Sequence, residues 1–61
     1  MIIFVDDFAK VEYRLKNGHT STAYTDQVSF DGTMRVGTDK YTEDLVVLYW
    51  DDKTSEWAES A

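Results

Sequence analysis

The sequence predicts a mainly β fold, in which consecutive hairpins build a small antiparallel sheet. Apolar and polar residues alternate strictly over residues 10–16, an Asn-Gly and an Asp-Gly pair interrupt apolar segments, and residues 44–50 form an apolar, β-branched run. Alternation with a period of two is typical of a strand with one buried face, and the two dipeptides are strong hairpin signals.

The length of the chain predicts a single domain over residues 1–61. A chain of this size buries only about 60% of the surface that its unfolded form exposes, so a monomer has little stability to spare. The sequence contains no proline, a residue that natural sheets use to protect exposed edge strands. Charge or a partner subunit must then protect any edge, and we expect a homodimer.

The first hairpin is predicted around Asn17-Gly18. Residues 10–16 form the first strand, and the β-branched residues 19–24 form the return strand that pairs with it antiparallel. Asn-Gly is the dipeptide best suited to the positive φ angles of a type I′ turn.

A second hairpin and a third are predicted downstream. Asp31-Gly32 separates residues 27–30 from residues 33–37, and both segments alternate apolar and polar side chains. The continuous run 44–50 suits a central strand that is covered on both faces. The tail then folds back through residues 51–54, so that Trp57 reaches Tyr49 or Trp50 across the strands. Of the two tryptophans, Trp50 is predicted to be the buried one.

Two segments also allow a short helical turn. Phe8, Val11 and Leu15 have helical spacing, and residues 38–45 could begin a helix with Thr38 or Asp39 as its cap.

Cysteine is absent from the sequence, which excludes disulfides and a Cys/His zinc site and fits a reducing, intracellular setting. No apolar run approaches the roughly 20 residues that span a bilayer. The apolar start MIIFV is followed at once by Asp6 and Asp7, unlike a signal peptide. We expect a complete, cytoplasmic protein.

Candidate catalytic residues are few. His19 is the single histidine, with Ser21 and Asp26 nearby in the chain, but a triad also needs an orienting acid, a shaped pocket and an oxyanion site. Adjacent carboxylates occur at 6–7, 43–44 and 51–52, and neighbours on a strand point to opposite faces. Neither the calcium-loop spacing nor a glycine-rich phosphate-binding motif is present. We expect His19 to be exposed in a turn, and no metal, cofactor or enzymatic activity.

The negative charge is unevenly placed. Residues 1–40 carry six acids and five bases, whereas residues 41–61 carry six acids and one base, so most of the net charge of −6 lies in the last third. A protein with an isoelectric point near 4.4 repels nucleic acid. Carboxylates in turns can simply keep a small aromatic-rich domain soluble.

The alternative is that the acids form a binding face. Alternate residues on a strand lie about 6.6 Å apart, of the order of the phosphate spacing along a nucleic-acid strand, so a sheet edge carrying carboxylates can imitate phosphates. Such a face would attract a basic, nucleic-acid-binding protein, and an aromatic side chain would supply the centre of the contact. The candidate partner-binding residues are Asp6, Asp7, Glu43, Asp44, Tyr49, Asp51, Asp52, Glu56, Trp57 and Glu59.

In size, in the absence of cysteine and proline, and in these acidic residues, the chain resembles the small host-takeover proteins of bacteriophages. Some of them act as DNA mimics, and one group from large Bacillus phages occupies the DNA-binding surface of the histone-like nucleoid protein HU. The resemblance implies a non-enzymatic inhibitor of a basic host protein. The alternative is a protein-interaction adaptor that uses an exposed strand edge or the aromatic cluster of Tyr49, Trp50 and Trp57.

Overall fold

Five β-strands and their connecting turns account for residues 3–60, the part of the chain described by the computed structural model. The strands are β1 (Phe4–Arg14), β2 (Thr20–Ser29), β3 (Met34–Asp39), β4 (Leu45–Asp51) and β5 (Glu56–Glu59). No helix occurs in this part of the chain. The predicted fold class, an antiparallel sheet built from consecutive hairpins, is therefore confirmed.

The strands follow each other in space in chain order and close into a small barrel. Each consecutive pair is antiparallel, whereas β1 and β5 pair in parallel through Tyr13 with Trp57 and Arg14 with Ala58. The direction alternates at every hairpin, so the first and fifth strands of a meander run the same way. A five-stranded meander can close only through a parallel pair.

The first hairpin pairs as predicted, with Lys10 opposite Tyr24 and Arg14 opposite Thr20. The predicted type I′ turn is wrong, because Gly18 has a positive φ of 92° but Asn17 does not. The amide of Gly18 donates to the carbonyl of Leu15 at 3.0 Å. This geometry is a longer loop that ends in a left-handed glycine.

The second hairpin is confirmed, but β2 is a single strand that serves both hairpins. It bulges at Asp26, which is skipped between the pairs Thr25 with Gly37 and Gln27 with Val36. At this level β3 passes so close to β2 that a Cβ on Gly37 would lie 2.2 Å from the carbonyl oxygen of Tyr24. The bend of the sheet therefore requires glycine at position 37.

The third predicted hairpin is confirmed and is the fourth of the barrel, between β4 and β5: Trp50 lies opposite Trp57, and the two rings meet edge to face with centroids 5.4 Å apart. The predicted coverage of β4 on both faces is wrong, since Leu48 is fully buried but Leu45 is 75% exposed. A barrel has only one inner side, and the outward residues of β4 meet solvent. The predicted burial of Trp50 is also wrong, because Trp57 is the tryptophan that packs against the core.

Neither predicted helical alternative forms. Phe8 and Val11 lie on β1, which is extended. The carboxylate of Asp39 does act as a cap, since Oδ1 accepts hydrogen bonds from the amides of Tyr41 and Thr42 at 2.7 and 2.9 Å, but the chain makes only a turn before β4 begins.

The barrel interior has an apolar middle and polar ends. Val11, Ala23 and Leu48 form the middle. Asp39, almost completely buried, lies towards one end. Arg35 lies towards the other end, where it donates to Thr25 Oγ1 at 3.0 Å and to Asp7 Oδ2 at 2.7 Å. Hydrogen bonds across the interior therefore supplement a small apolar core.

Candidate functional site

The outward side of β3 and β4 carries an apolar surface. Arg35 pairs with Leu48, which is fully buried, so the residues next to them on each strand point outward. Tyr49 is 42% exposed on this side. We call this surface the outer face, formed by Met34, Val36, Leu45, Val47 and Tyr49.

The predicted acidic residues of the last third do not lie together on one surface. Glu43 and Asp44 precede β4, and Glu59 at the end of β5 lines the same cavity as Asp44. We call these three residues the first acidic group; the second acidic group, at the other end of β4, consists of Asp51, Asp52 and Glu56.

The distance between the two groups follows from the strand between them. Seven residue steps separate Asp44 from Asp51, and an extended strand covers about 23 Å over that length. The outer face lies along this strand. Asp51 shares its outward side with Tyr49, since the two are separated by one residue on β4. An apolar strip with carboxylates at both ends results.

Asp6 and Asp7, on β1, belong to neither group. Asp6 lies opposite Gln27, which in turn lies opposite Val36. Asp6 therefore lies two strands away from β3, the nearer of the two strands that form the outer face. Asp7 bonds to Arg35.

Ion pairs neutralise three of the predicted acidic residues. Arg14 Nε lies 2.8 Å from Glu56 Oε1, Arg35 Nη2 lies 2.7 Å from Asp7 Oδ2, and Lys16 Nζ lies 3.9 Å from Glu59 Oε1. The hydrogen bond from Arg14 lowers the pKa of Glu56. Within residues 3–60 no ion pair involves Asp6, Glu43, Asp44, Asp51 or Asp52.

Trp57 does not lie on the outer face. Its ring packs against the core and against Trp50, and the Arg35 guanidinium carbon lies 5.7 Å from the ring centroid. Of the two predicted aromatic anchors, only Tyr49 shares a surface with free carboxylates. Trp57 is placed to stabilise the barrel.

A buried polar network around Asp39 was not predicted from the sequence as a site. Asp39 Oδ2 accepts hydrogen bonds from the hydroxyls of Tyr13 at 2.6 Å and Ser21 at 2.7 Å. Burial by itself would raise the pKa of Asp39, but these bonds and the amides of Thr42 and Tyr41 outweigh it and hold the pKa well below its usual value. The carboxylate is therefore ionised inside the barrel.

The opposite effect acts on Tyr13. Burial, followed by its hydrogen bond to the negative Asp39, raises the pKa of Tyr13 to about 12. The sequence gives only part of the signal for this pair. The alternation along β1 turns Tyr13 towards the interior, and Asp39 is a candidate helix cap, but nothing local connects the two residues. Their contact depends on barrel closure, which no local pattern reveals.

A cavity of about 500 Å³ opens beside this network, at the end of the barrel where β5 finishes. Tyr13, Ser21 and Asp39 line it, and Tyr41 and Leu45, both largely exposed, contribute to its wall. We call it the mouth cavity. Ligand pockets typically occupy about 300–1,000 Å³, so its size suits a side chain or a small ligand.

The residues considered for catalysis do not assemble. His19 is exposed, in agreement with the sequence-based expectation, and Ser21 donates to Asp39. Across residues 3–60, no three His, Asp or Glu side chains are grouped so that they could hold a metal ion. In the same range no helix is long and apolar enough to cross a membrane.

Comparison with protein families, curated proteins and solved structures gave no match to this chain. The outer face, the two acidic groups and the mouth cavity are the candidate functional features of the described residues.

Proposed function

We propose that this protein is a non-enzymatic, acidic binding protein that occupies the DNA-binding surface of a basic host protein and inhibits it, as phage-type DNA mimics do. The observation that carries the proposal is an apolar outer face with unpaired carboxylates at both ends. Tyr49 lies on this face, with Asp44 before β4 and Asp51 at its end.

The charge balance supports a basic partner. After the three ion pairs are set aside, nine carboxylates remain against three lysines. An excess of this kind repels nucleic acid and speeds the approach of a positively charged protein. A surface that binds DNA is basic by necessity, so it is the natural target.

The outer face supplies apolar and aromatic contact area, which charge alone does not provide. Exposed ion pairs contribute little to affinity, about 0–1 kcal/mol each, whereas buried aromatic side chains dominate interface energetics. An apolar face that carries Tyr49 beside Asp51, with acidic groups at both ends, has the arrangement of a protein interface, with an aromatic anchor and a charged rim. The acids orient the partner and Tyr49 anchors it.

A homodimer in the host cytoplasm is part of the proposal. Within residues 3–60, β5 covers β1 only at Tyr13 and Arg14, which leaves the edge of residues 4–12 without a strand on that side. Pairing of two such edges would protect both and double the negative charge. Sedimentation equilibrium tests this: the native chain is expected to be a dimer and Phe8→Lys, at an exposed β1 position, a monomer.

The proposal is tested by competition for HU. The protein is titrated into HU bound to fluorescent duplex DNA, at low and at high salt, and release of the DNA is measured. We expect release at low salt that fades as salt rises, because screening weakens charge attraction. Release that is absent at low salt with HU, together with no retention of any basic DNA-binding protein from a bacterial lysate, contradicts the proposal.

A matched pair of variants separates the proposed surface from net charge. Asp52→Lys and Asp26→Lys change the charge equally, but Asp52 lies in the second acidic group, whereas Asp26 is exposed at the bulge of β2, outside both acidic groups and outside the proposed dimer edge. Asp52→Lys should weaken displacement by about tenfold, and Asp26→Lys should have a much smaller effect. Equal effects would show that the location of the acids does not matter.

A protein-interaction adaptor is the second candidate, favoured by the uncovered edge of β1. Val5 and Phe8 are 45% and 76% exposed beside this edge, and an edge strand can accept an extended peptide as an additional strand. Binding of this kind would persist at high salt and would be lost in Phe8→Lys. The competition assay distinguishes the two candidates by their salt dependence.

A further inference from the structure

We propose that the mouth cavity receives a long basic side chain, arginine or lysine, from the partner protein. The inference rests on the proposed function and gives the partner's cation a specific site. Two features of the cavity support it: the shape of the cavity and the negative charge of its wall.

The shape suits a side chain that enters end-on. The cavity of about 500 Å³ lies at the end of the barrel, with Tyr13 and Asp39 among its inner residues. Leu45 and Tyr41, 75% and 70% exposed, stand in its wall. Arginine and lysine have aliphatic stems that pack on apolar surface while the charged head seeks polar partners. A wall that is apolar and aromatic in part, with polar groups inside, matches such a side chain.

The sign of the charge selects a cation. All three charged residues that line the cavity, Asp39, Asp44 and Glu59, are acids. They are not grouped closely enough to hold a metal ion among the described residues, and they line a space large enough for an organic cation. Asp39 is held as a buried anion by four hydrogen bonds. Its charge acts on the cavity without depending on solvent exposure.

Two lysines lie near the cavity and must be considered as competitors. Lys16 Nζ lies 3.9 Å from Glu59 Oε1, and its side chain is 61% exposed. Lys40 Nζ lies 5.6 Å from the centroid of the Tyr41 ring. Neither residue lines the cavity. A basic side chain from the partner can replace the long contact of Lys16 with Glu59 by a closer one. The contact of Lys40 shows that the ring of Tyr41 accepts an ammonium group over its face, the favourable position for a cation.

The test uses the full chain, labelled with ¹⁵N, and single-residue probes: N-acetyl-arginine amide, N-acetyl-lysine amide and, as the uncharged control, N-acetyl-norleucine amide. We expect the two cationic probes to shift the amides of Tyr41, Thr42 and Leu45 in NMR spectra, and the norleucine probe to leave them in place. Shifts spread evenly over both ends of β4, or no shift with either cationic probe, would overturn the assignment.

A matched pair of double variants locates the site. Asp44→Asn with Glu59→Gln removes two charges at the cavity, and Asp51→Asn with Asp52→Asn removes two at the far end. The first should weaken binding of the cationic probes roughly tenfold, and the second by less than about twofold. Equal losses would mean that the probes respond to net charge alone, in which case the cavity assignment fails while the proposed function still stands on its HU competition assay.

A second pair keeps the test decisive if the first double variant folds poorly. Lys16→Gln frees Glu59 at an exposed position, whereas Lys53→Gln makes the same charge change in the β4–β5 turn. Lys16→Gln should strengthen probe binding about threefold, clearly more than Lys53→Gln. The same strengthening in both variants, or none in either, contradicts a contact at Glu59.

Discussion

Tyr13 donates its hydroxyl hydrogen to Asp39 over 2.6 Å, although 26 residues separate the two in the chain. Tyr13 belongs to β1 and Asp39 to β3, strands that are not neighbours in the sheet. The bond therefore crosses the barrel interior and constrains the curvature of the sheet. Ser21 on β2 shares the same carboxylate oxygen, so three strands meet at one atom.

Replacing Asp39 with asparagine should destabilise the fold strongly. Asparagine has one acceptor oxygen, so either the hydroxyls of Tyr13 and Ser21 or the amides of Tyr41 and Thr42 lose their acceptor. An unsatisfied buried donor costs about 1–3 kcal/mol. We expect a loss of about 3 kcal/mol in the free energy of unfolding, measured with urea. Asp44→Asn, at an exposed position, serves as control and should change it by less than about 0.5 kcal/mol. Equal stability of the two variants would show that the network is not structural.

Alkaline pH should unfold the protein through Tyr13. Its pKa is raised from 10.0 to about 12 in the fold, so the folded state favours the protonated hydroxyl. The stability that it contributes is fully present below pH 10 and is lost as pH rises from 10 to 12. In an absorbance titration of tyrosinate, one of the four tyrosines should ionise late, together with the loss of circular dichroism.

The late step should vanish in Tyr13→Phe and persist in Tyr49→Phe, the matched change at an outward position. A late component that survives in Tyr13→Phe would assign it to another tyrosine.

Alanine at position 37 should prevent the barrel from forming properly. The added Cβ would lie 2.2 Å from Tyr24 O and 2.4 Å from Thr25 Cα, both backbone atoms that cannot swing away. We expect Gly37→Ala to be largely unfolded in water, because small domains have only about 3–5 kcal/mol of stability. Circular dichroism and thermal melting measure this.

Gly32→Ala is the matched control for the change at position 37. Gly32 has a positive φ of 78° but open space around it, so alanine there should cost only about 1 kcal/mol. A folded Gly37→Ala with native melting temperature would contradict the close approach of β2 and β3.

Truncation of Trp57 and of Tyr49 should have opposite consequences. Trp57→Ala removes a ring that packs on the core, and we expect it to lower the free energy of unfolding by about 2–3 kcal/mol. Tyr49→Ala should cost less than about 1 kcal/mol and leave the melting curve nearly unchanged, while it weakens displacement of DNA from HU. The reverse order in stability would place Trp57 on the surface and Tyr49 in the barrel.

The hairpins could be predicted because their signals are local. Asn17-Gly18 and Asp31-Gly32 mark two of the four turns, and alternation gives the register of their strands. The turn type at Asn17 could not be read, since Asn-Gly fits both a two-residue turn and a longer loop with glycine in its left-handed position. The sequence pattern therefore predicts which strands pair more reliably than it predicts the backbone angles of the turn between them.

Barrel closure could not be predicted, and the errors about burial follow from it. The apolar run at 44–50 looks like a strand covered on both sides, but in a barrel this small the outward residues Leu45 and Tyr49 have no layer above them. The sequence favours burial of Trp50 because it lies within the apolar run, yet the inward parity of Trp57 on β5 turns Trp57 to the core. The sequence shows that acidic residues concentrate in the last third of the chain, but not that they divide between the two ends of β4.

The parallel contact between β1 and β5 determines how the protein can be handled. Phe4 starts at one end of the barrel, and Ser60 lines the cavity at the other. An affinity tag joined on the carboxyl-terminal side of β5 would lie close to the mouth cavity, which Glu59 and Ser60 line, and could block it. A tag joined ahead of β1 would start about 30 Å away along that strand. Immobilisation through the amino-terminal side is therefore the arrangement for every binding experiment proposed above. A circular permutant would need a linker that spans the length of the barrel, since β1 begins at one end of it and β5 finishes at the other.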